Sequence, residues 1–276
     1  MVLVIDDKAP GHVTAQFLDA VNCAIELASR VAFDCEGVDL SRAGSVELVS
    51  LCFETSSTKV FLVDLNKKSG KRYEHMIALK RLLECETVGK VIHDCRMDCD
   101  ALHHLHGIAV KNVHDTSCFH TVITGMEDKN LNDVLSYNDI QQNLTRNKDV
   151  YKRNPAFWAT RPLTPTMIQW ASADVDELLR VASRQVDRLS GSSSQMDRAM
   201  TKSEESTRYV RDMKLERGLQ VHGRIGHFIG PRGQNLRSLQ KRTGTMIYRE
   251  SVPYWLVFYK DLAGLTAVKR AMGNSV

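Results

Sequence analysis

The sequence predicts an α/β (α+β) fold, a sheet with helices packed on it, followed by a small second domain. Three observations predict it. Three short apolar runs come first and are succeeded by alternating helix-like and strand-like segments. A Ser- and Gly-rich stretch, SGSSSQ at 190–195, interrupts the pattern late in the chain. The charge balance then changes sign: residues 201–276 carry 14 Lys and Arg against 6 Asp and Glu, a balance of +8, and residues 1–200 carry 23 against 27, a balance of −4. The organisation expected is a domain at 1–189, a linker at 190–207 and a domain at 208–276.

VAFDCEGV, VELVSLCFE and KVFLVDL are short, rich in Val, Leu and Phe, and separated by polar residues, so each reads as a strand. YEHMIALKRLLECE has apolar residues at helical spacing. KVIHD reads as a strand, a helix starts near Asp98, and AVKNVHD is a further strand before more helical material. Residues 165–189 read as one long helix with a stripe at Ile168, Ala171, Val175, Leu178, Leu179, Val181 and Ala182. Past the Ser-rich stretch, YVRDMKL, HGRIGHFIG, QNLRSLQKRTG, TMIYRES, YWLVFYK and DLAGLTAVKRAM give the order β-α-α-β-β-α, with GPRG as a tight loop between the two helices.

The 276 residues are 43% hydrophobic and 25% charged, ordinary for a globular protein. No apolar run approaches the roughly 20 residues of a membrane span, so no membrane partner is expected. The start, MVLVIDDKAPGHV, lacks the basic and long apolar regions of a secretory signal. The seven cysteines, an odd number, contain no CxxC and suit reduced thiols. An intracellular site is expected, cytoplasmic or nuclear, or mitochondrial where a presequence has been removed. The basic C-terminal segment fits a polyanion-binding module.

Asp34 and Glu36 interrupt a core strand two residues apart, so both stand on one face of it. Buried side by side, two carboxylates need a compensating partner. Asp98 follows a strand at a helix start, where an N-cap role is the plain alternative. Asp174 lies inside the long helix, where a solvated position is the plain alternative. Four carboxylates brought together are the oxygen-donor set for two Mg²⁺ or Mn²⁺ ions roughly 3.5–4 Å apart, an arrangement suited to in-line attack on a phosphodiester. Cys95, Cys99, His103, His104 and His106 match no common zinc spacing, and helical packing accounts for them better.

FDCEG, HDCRMDCDAL and WASADVDELL, in this order and 64 then 76 residues apart, resemble the three motifs of the DEDD superfamily of 3′–5′ exonucleases. The nearest branch is the RNase D-like one with its Egalitarian-type members, and the likeness covers about residues 28–189. It implies an RNase H-like mixed sheet flanked by helices. By position, Asp34 matches the aspartate bridging both metals, Glu36 and Asp174 its partners at the nucleophile-side metal, and Asp98 the motif-two aspartate of the second metal. Asp94 is the rival in motif two, and Asp115 resembles a supporting position. Trp170 departs from the pattern, standing where the branch has tyrosine; Gln169 stands where the sister branch has histidine. Four residues before Asp174, Trp170 is expected to face the metal site and to touch a phosphate or base.

FIGPRGQNL resembles the KH signature, and the element order matches the type I arrangement over about 208–274. The likeness implies that Gly230, Pro231, Arg232 and Gly233 clamp about four nucleotides of a single strand. The combined expectation is a divalent-metal-dependent 3′–5′ exoribonuclease that trims single-stranded RNA and releases nucleoside monophosphates. An RNA-processing complex is a candidate partner. The alternatives kept open are a weak or inactive RNA-binding adaptor on the same fold, and a 3′–5′ DNA exonuclease.

Overall fold

The structure, a computed structural model, describes residues 1–6, 8–55, 60–66, 73–127, 129–147, 149–250 and 253–274. Lys59 and Ser251, the outer ends of two expected strands, lie outside the described residues. The chain divides into two units, Met1–Arg211 and Asp212–Val276.

The first unit runs β1 (Val2–Ile5), α1 (Gly11–Glu26), β2 (Arg30–Glu36), β3 (Leu48–Phe53), β4 (Val60–Asp64), α2 (Tyr73–Glu84), β5 (Gly89–Ile92), α3 (Arg96–His106), β6 (Val113–Asp115), α4 (Thr116–Thr124), α5 (Leu131–Tyr137), α6 (Asp149–Arg153), α7 (Pro165–Asp176), α8 (Leu178–Leu189) and α9 (Ser193–Tyr209). Its six strands form one mixed sheet in the order β1-β4-β3-β2-β5-β6. β2 and β4 pair antiparallel with β3, and the other pairings are parallel. The expected mixed sheet flanked by helices is present.

The strand period sorts the core. Val31, Phe33 and Cys35 of β2 join a large apolar cluster with residues of α1, α2 and α3. Ala32 joins a second cluster with Met167, Trp170, Ala171 and Val175 of α7. Asp34 and Glu36 have the parity of Ala32, so they share its face of the sheet.

Two sequence expectations are corrected here. The long helix at 165–189 is two helices that meet at Glu177. α7 lies on β2, β3 and β4, whereas α8 packs on β2, β5, α4 and α9, so the change of direction serves two different surfaces. The expected linker at 190–207 is mostly α9, capped by Ser192, whose side chain accepts from Gln195 N. α9 buries Ala199, Ser203, Ser206 and Thr207. Its small polar residues pack and hydrogen-bond, so it belongs to the first unit and the boundary falls after Arg211. β1 and α1 were not expected; α1 buries Val13, Phe17, Val21 and Ala24, an ordinary helical stripe.

The second unit runs β7 (Lys214–Gln220), α10 (Ile225–Ile229), α11 (Gln234–Thr243), β8 (Met246–Arg249), β9 (Tyr254–Tyr259) and α12 (Leu262–Met272), the expected β-α-α-β-β-α order. Its three strands are antiparallel in the order β7-β9-β8. Phe228, Leu239, Trp255, Val257, Val268 and Met272 are in its core. No helix among the described residues is long and apolar enough to cross a membrane.

Candidate active site

β2 brings Asp34 and Glu36 to one end of the sheet, and α7 lays Asp174 over them. One carboxylate oxygen from each lies within 4.8 Å of the others. α7 is fixed for this task at its start: Pro165 opens the helix and the Thr164 side chain accepts from Met167 N at 3.2 Å. Trp170, Ala171 and Val175 then anchor it in the apolar cluster. Directly after Glu36 the chain must turn past Ser45. A Cβ on Gly37 would meet the Ser45 carbonyl oxygen at 1.9 Å, which explains the glycine of FDCEG.

Asp98 stands beside this trio and is buried. Its Oδ1 accepts from the backbone N–H of Cys35, the residue between the two strand carboxylates, at 3.0 Å. It is therefore tied to β2 from the first turn of α3. Asp94, the motif-two rival, is engaged with Arg96, whose Nε donates to Oδ1 at 2.5 Å and Nη2 to Oδ2 at 2.7 Å. Asp115 is fully buried and receives Asp94 N at 2.9 Å, Cys95 N at 3.0 Å and Ser117 N at 2.9 Å, so it holds the turn that launches α3. Cys95 and Cys99 pack in the main apolar cluster.

Sequence reasoning missed Arg146. Its Nη2 donates to Glu36 Oε2 at 2.8 Å, and its Nη1 pairs with Asp174 Oδ2. The guanidinium carbon lies 5.7 Å from the centre of the Trp158 ring. Arg146 sits in a polar stretch without periodicity, 110 residues from Glu36 in the chain, and nothing local marks it. A cleft of about 240 Å³ opens beside it, lined by Gly37, Asp39, Arg146, Pro155 and Trp158.

Burial pushes the Asp34 carboxyl up to about 6, against the lowering pull of Arg146. Burial pushes Glu36 up to about 8, again against Arg146 and reinforced by the charge of Asp34. Asp98 is raised well above the usual carboxylate range by burial and then by Asp34. Glu36 Oε1 is buried and has no hydrogen-bond partner among the described residues. A convergent set of hard oxygen donors, one of them unpartnered, fits a divalent cation.

Trp170 is buried in the apolar cluster around α7. It is 4% exposed, with its ring centre 5.5 Å from that of Phe157. It shares the side of α7 that carries Asp174 and packs there in the apolar cluster.

In the second unit, Pro231–Gly233 form a single 3-10 turn between α10 and α11. Gly230, Arg232 and Gly233 all have positive φ (72°, 49° and 78°), and Pro231 and Arg232 are exposed. A Cβ on Gly230 would meet Asn235 Cγ at 2.4 Å, while Asn235 Nδ2 donates to His227 O at 2.8 Å and braces the loop from behind.

The 3′–5′ exonuclease family matches residues 13–189. The mouse piRNA biogenesis protein EXD1 is 28% identical over 159 residues, 52% of this chain and 27% of that protein; the Xenopus laevis protein of the same name is 29% identical over 164 residues, 55% and 36%. The chain thus spans about a third or less of the curated relatives it matches here. Among solved structures, Trypanosoma brucei RNase D superposes with a TM-score of 0.63 at 18% identity, covering 76% of this chain and 72% of that one. Brucella melitensis NrnC with bound Mg²⁺ gives a TM-score of 0.50 at 19% identity, covering 64% and 81%. With the family matched across most of the first unit, and the mixed sheet shared in fold with RNase D, the chain belongs to the 3′–5′ exonuclease family.

Proposed function

We propose that this chain is a divalent-metal-dependent 3′–5′ exoribonuclease that shortens single-stranded RNA from its 3′ end and releases nucleoside monophosphates. The observation that carries the proposal is the convergence of Asp34, Glu36 and Asp174, with Asp98 beside them, on one face of β2. Asp34, Glu36, Asp98 and Asp174 are the residues that would hold Mg²⁺ or Mn²⁺. Bound there, the metal supplies a water of lowered pKa and offsets charge on the phosphate under attack. The chain's own contribution is orientation. β2 and α7 hold three carboxylates at fixed spacing, Asp98 is locked to the Cys35 amide, and the cleft at Pro155 and Trp158 offers an apolar wall to a terminal nucleotide. RNA is favoured as substrate by the RNase D likeness and by relatives named for piRNA biogenesis.

The second unit is proposed to be a KH-like module that holds the single strand through Gly230, Pro231, Arg232 and Gly233. Its support is the element order, the positive-φ loop between two helices and the +8 balance of residues 201–276.

Two observations favour a second reading, a weak or inactive RNA-binding adaptor. Arg146 already bridges Glu36 and Asp174, and the residue four before Asp174 is a packed tryptophan with no hydroxyl. A time course on end-labelled RNA with Mn²⁺, with EDTA and Asp34→Asn as controls, separates the two. Shortening from the 3′ end that both controls remove is the expected result. RNA binding without shortening selects the adaptor, and a strong preference for DNA of the same sequence selects a DNA exonuclease. Replacing Pro231 and Arg232 by aspartate is expected to weaken RNA binding; unchanged affinity and salt dependence would remove the RNA-binding role of the loop.

A further inference from the structure

We propose that Arg146 is an exchangeable counter-ion: it holds the carboxylates in the place a divalent cation takes, gives way when the cation binds, and then binds a phosphate oxygen of the substrate. This rests on the metal-binding reading above and adds a regulatory step to it.

The geometry carries the first half. The two terminal nitrogens of one guanidinium reach Glu36 Oε2 and Asp174 Oδ2, which belong to the carboxylates that converge within 4.8 Å. The guanidinium presents several donors in one rigid plane, so a single side chain can pair with both carboxylates at once. A guanidinium and a divalent cation cannot share those two oxygens, because their like charges would meet at contact distance in a buried setting. Glu36 Oε1 points to the same conclusion from the other side: it is buried and without a hydrogen-bond partner among the described residues, so Arg146 satisfies only half of that carboxylate.

The second half follows from where Arg146 is mounted. The segment between α5 and α6 is anchored before it and turns after it. Asn132 Nδ2 donates to Asn143 O at 2.9 Å, Asn143 N donates to Asn132 Oδ1 at 2.8 Å, and Asn143 Oδ1 accepts from Thr145 Oγ1 at 2.8 Å. Asn147 Oδ1 then accepts from Asp149 N at 3.0 Å. The backbone is held while the long side chain lies over Trp158 and lines the cleft beside Gly37 and Pro155. A rotamer change moves the guanidinium from the carboxylates into the cleft with no movement of α7 or β2. A phosphodiester in that cleft presents the anionic oxygens that a guanidinium pairs with best.

The test uses the full chain and Mn²⁺ alone, by calorimetry, in wild type and Arg146→Met. Releasing the hydrogen bond to Glu36 and the ion pair to Asp174 predicts that Arg146→Met binds Mn²⁺ between about 10- and 100-fold more tightly. In Ca²⁺ the same variant is expected to bind single-stranded RNA about tenfold more weakly. Equal or weaker Mn²⁺ binding by the folded variant overturns this inference and leaves the metal reading standing. No Mn²⁺ binding by either protein overturns both, and unchanged RNA affinity overturns the transfer to phosphate. A wild-type measurement guards against a variant that fails to fold. Mn²⁺ is expected to change the emission of Trp158, read as the difference from Trp158→Phe, and a flat titration overturns the displacement.

Discussion

Replacing Asp115 with asparagine should unfasten the start of α3, the helix that carries Asp98, without touching a proposed metal ligand. Asp115 ends β6 and caps α4, and it is fully buried. Its Oδ1 accepts from Asp94 N and Ser117 N, and its Oδ2 from Cys95 N at 3.0 Å and Ser206 Oγ at 3.3 Å. α3 has no side-chain cap of its own, and Asp94 just before it has φ of 59°. Asp115 therefore supplies from a neighbouring strand what the local sequence of α3 lacks. In asparagine one oxygen becomes NH₂, so at least one buried backbone donor loses its acceptor. That costs about 1–3 kcal/mol, and the remaining bonds weaken when the acceptor is neutral. A total of about 2–4 kcal/mol is expected, a large share of the ~5–15 kcal/mol typical of a folded domain. Urea unfolding reads it, followed by tryptophan emission in a Trp255→Phe background so that only Trp158 and Trp170 of the first unit report. With a slope of about 1–3 kcal/mol/M, the midpoint should fall by roughly 0.7–4 M. A loss below about 0.5 kcal/mol, within the range of an ordinary surface change, would refute the argument.

Three further outcomes follow from the same packing. Arg42→Met should cost about 3–5 kcal/mol in urea unfolding, because Asp100 is fully buried and Arg42 Nη2 also holds the carbonyls of Val210 and Arg211 at the end of α9; a cost under about 1 kcal/mol counts against it. His114 stacks on Phe119 with Nε2 against Gln185 Oε1, and burial pushes its imidazole down to about 4. The unfolded chain then binds the extra proton first, so this contribution is complete above about pH 6.5 and is lost as pH falls toward 4, by up to about 1.4 kcal/mol per pH unit. Stability of His114→Phe should fall less steeply over that window, and curves parallel to wild type refute the assignment. A chain ending at residue 189 should unfold at a clearly lower urea concentration than one ending at 211, since it lacks the Ser203 and Ser206 partners of Asp115; equal midpoints would restore the linker at 190–207.

What the sequence discloses depends on whether the signal is local. Asp34 and Glu36 were legible because two carboxylates break an apolar strand at the strand's own period, and β2 places them as that period requires. α9 was not legible because it buries Ala199, Ser203, Ser206 and Thr207, and small polar residues leave no apolar stripe. The serines that read as a linker are its turn and its cap. Trp170 shows the limit of helical spacing: four residues apart gives a shared side, but which level of that side meets the core is decided by Phe157 and the sheet beneath. Arg146 is the extreme case. Its partners come from β2 and α7, and only the fold brings the three together.

The charge balance at this site bears on the choice between nuclease and adaptor. A guanidinium that had permanently replaced a metal would neutralise its carboxylates and hold them below the ordinary carboxylate range. Arg146 does not achieve this. Asp34 remains near 6 and Glu36 near 8, because burial outweighs the one positive charge that faces them. Glu36 also keeps one buried oxygen without a hydrogen-bond partner among the described residues. Asp98, buried beside Asp34, adds to the deficit and has a backbone amide as its partner. A divalent ion brings twice the charge of the guanidinium and needs no hydrogen-bond geometry. Bound there, it would remove the deficit, and on this ground the proposed nuclease reading is favoured over the adaptor.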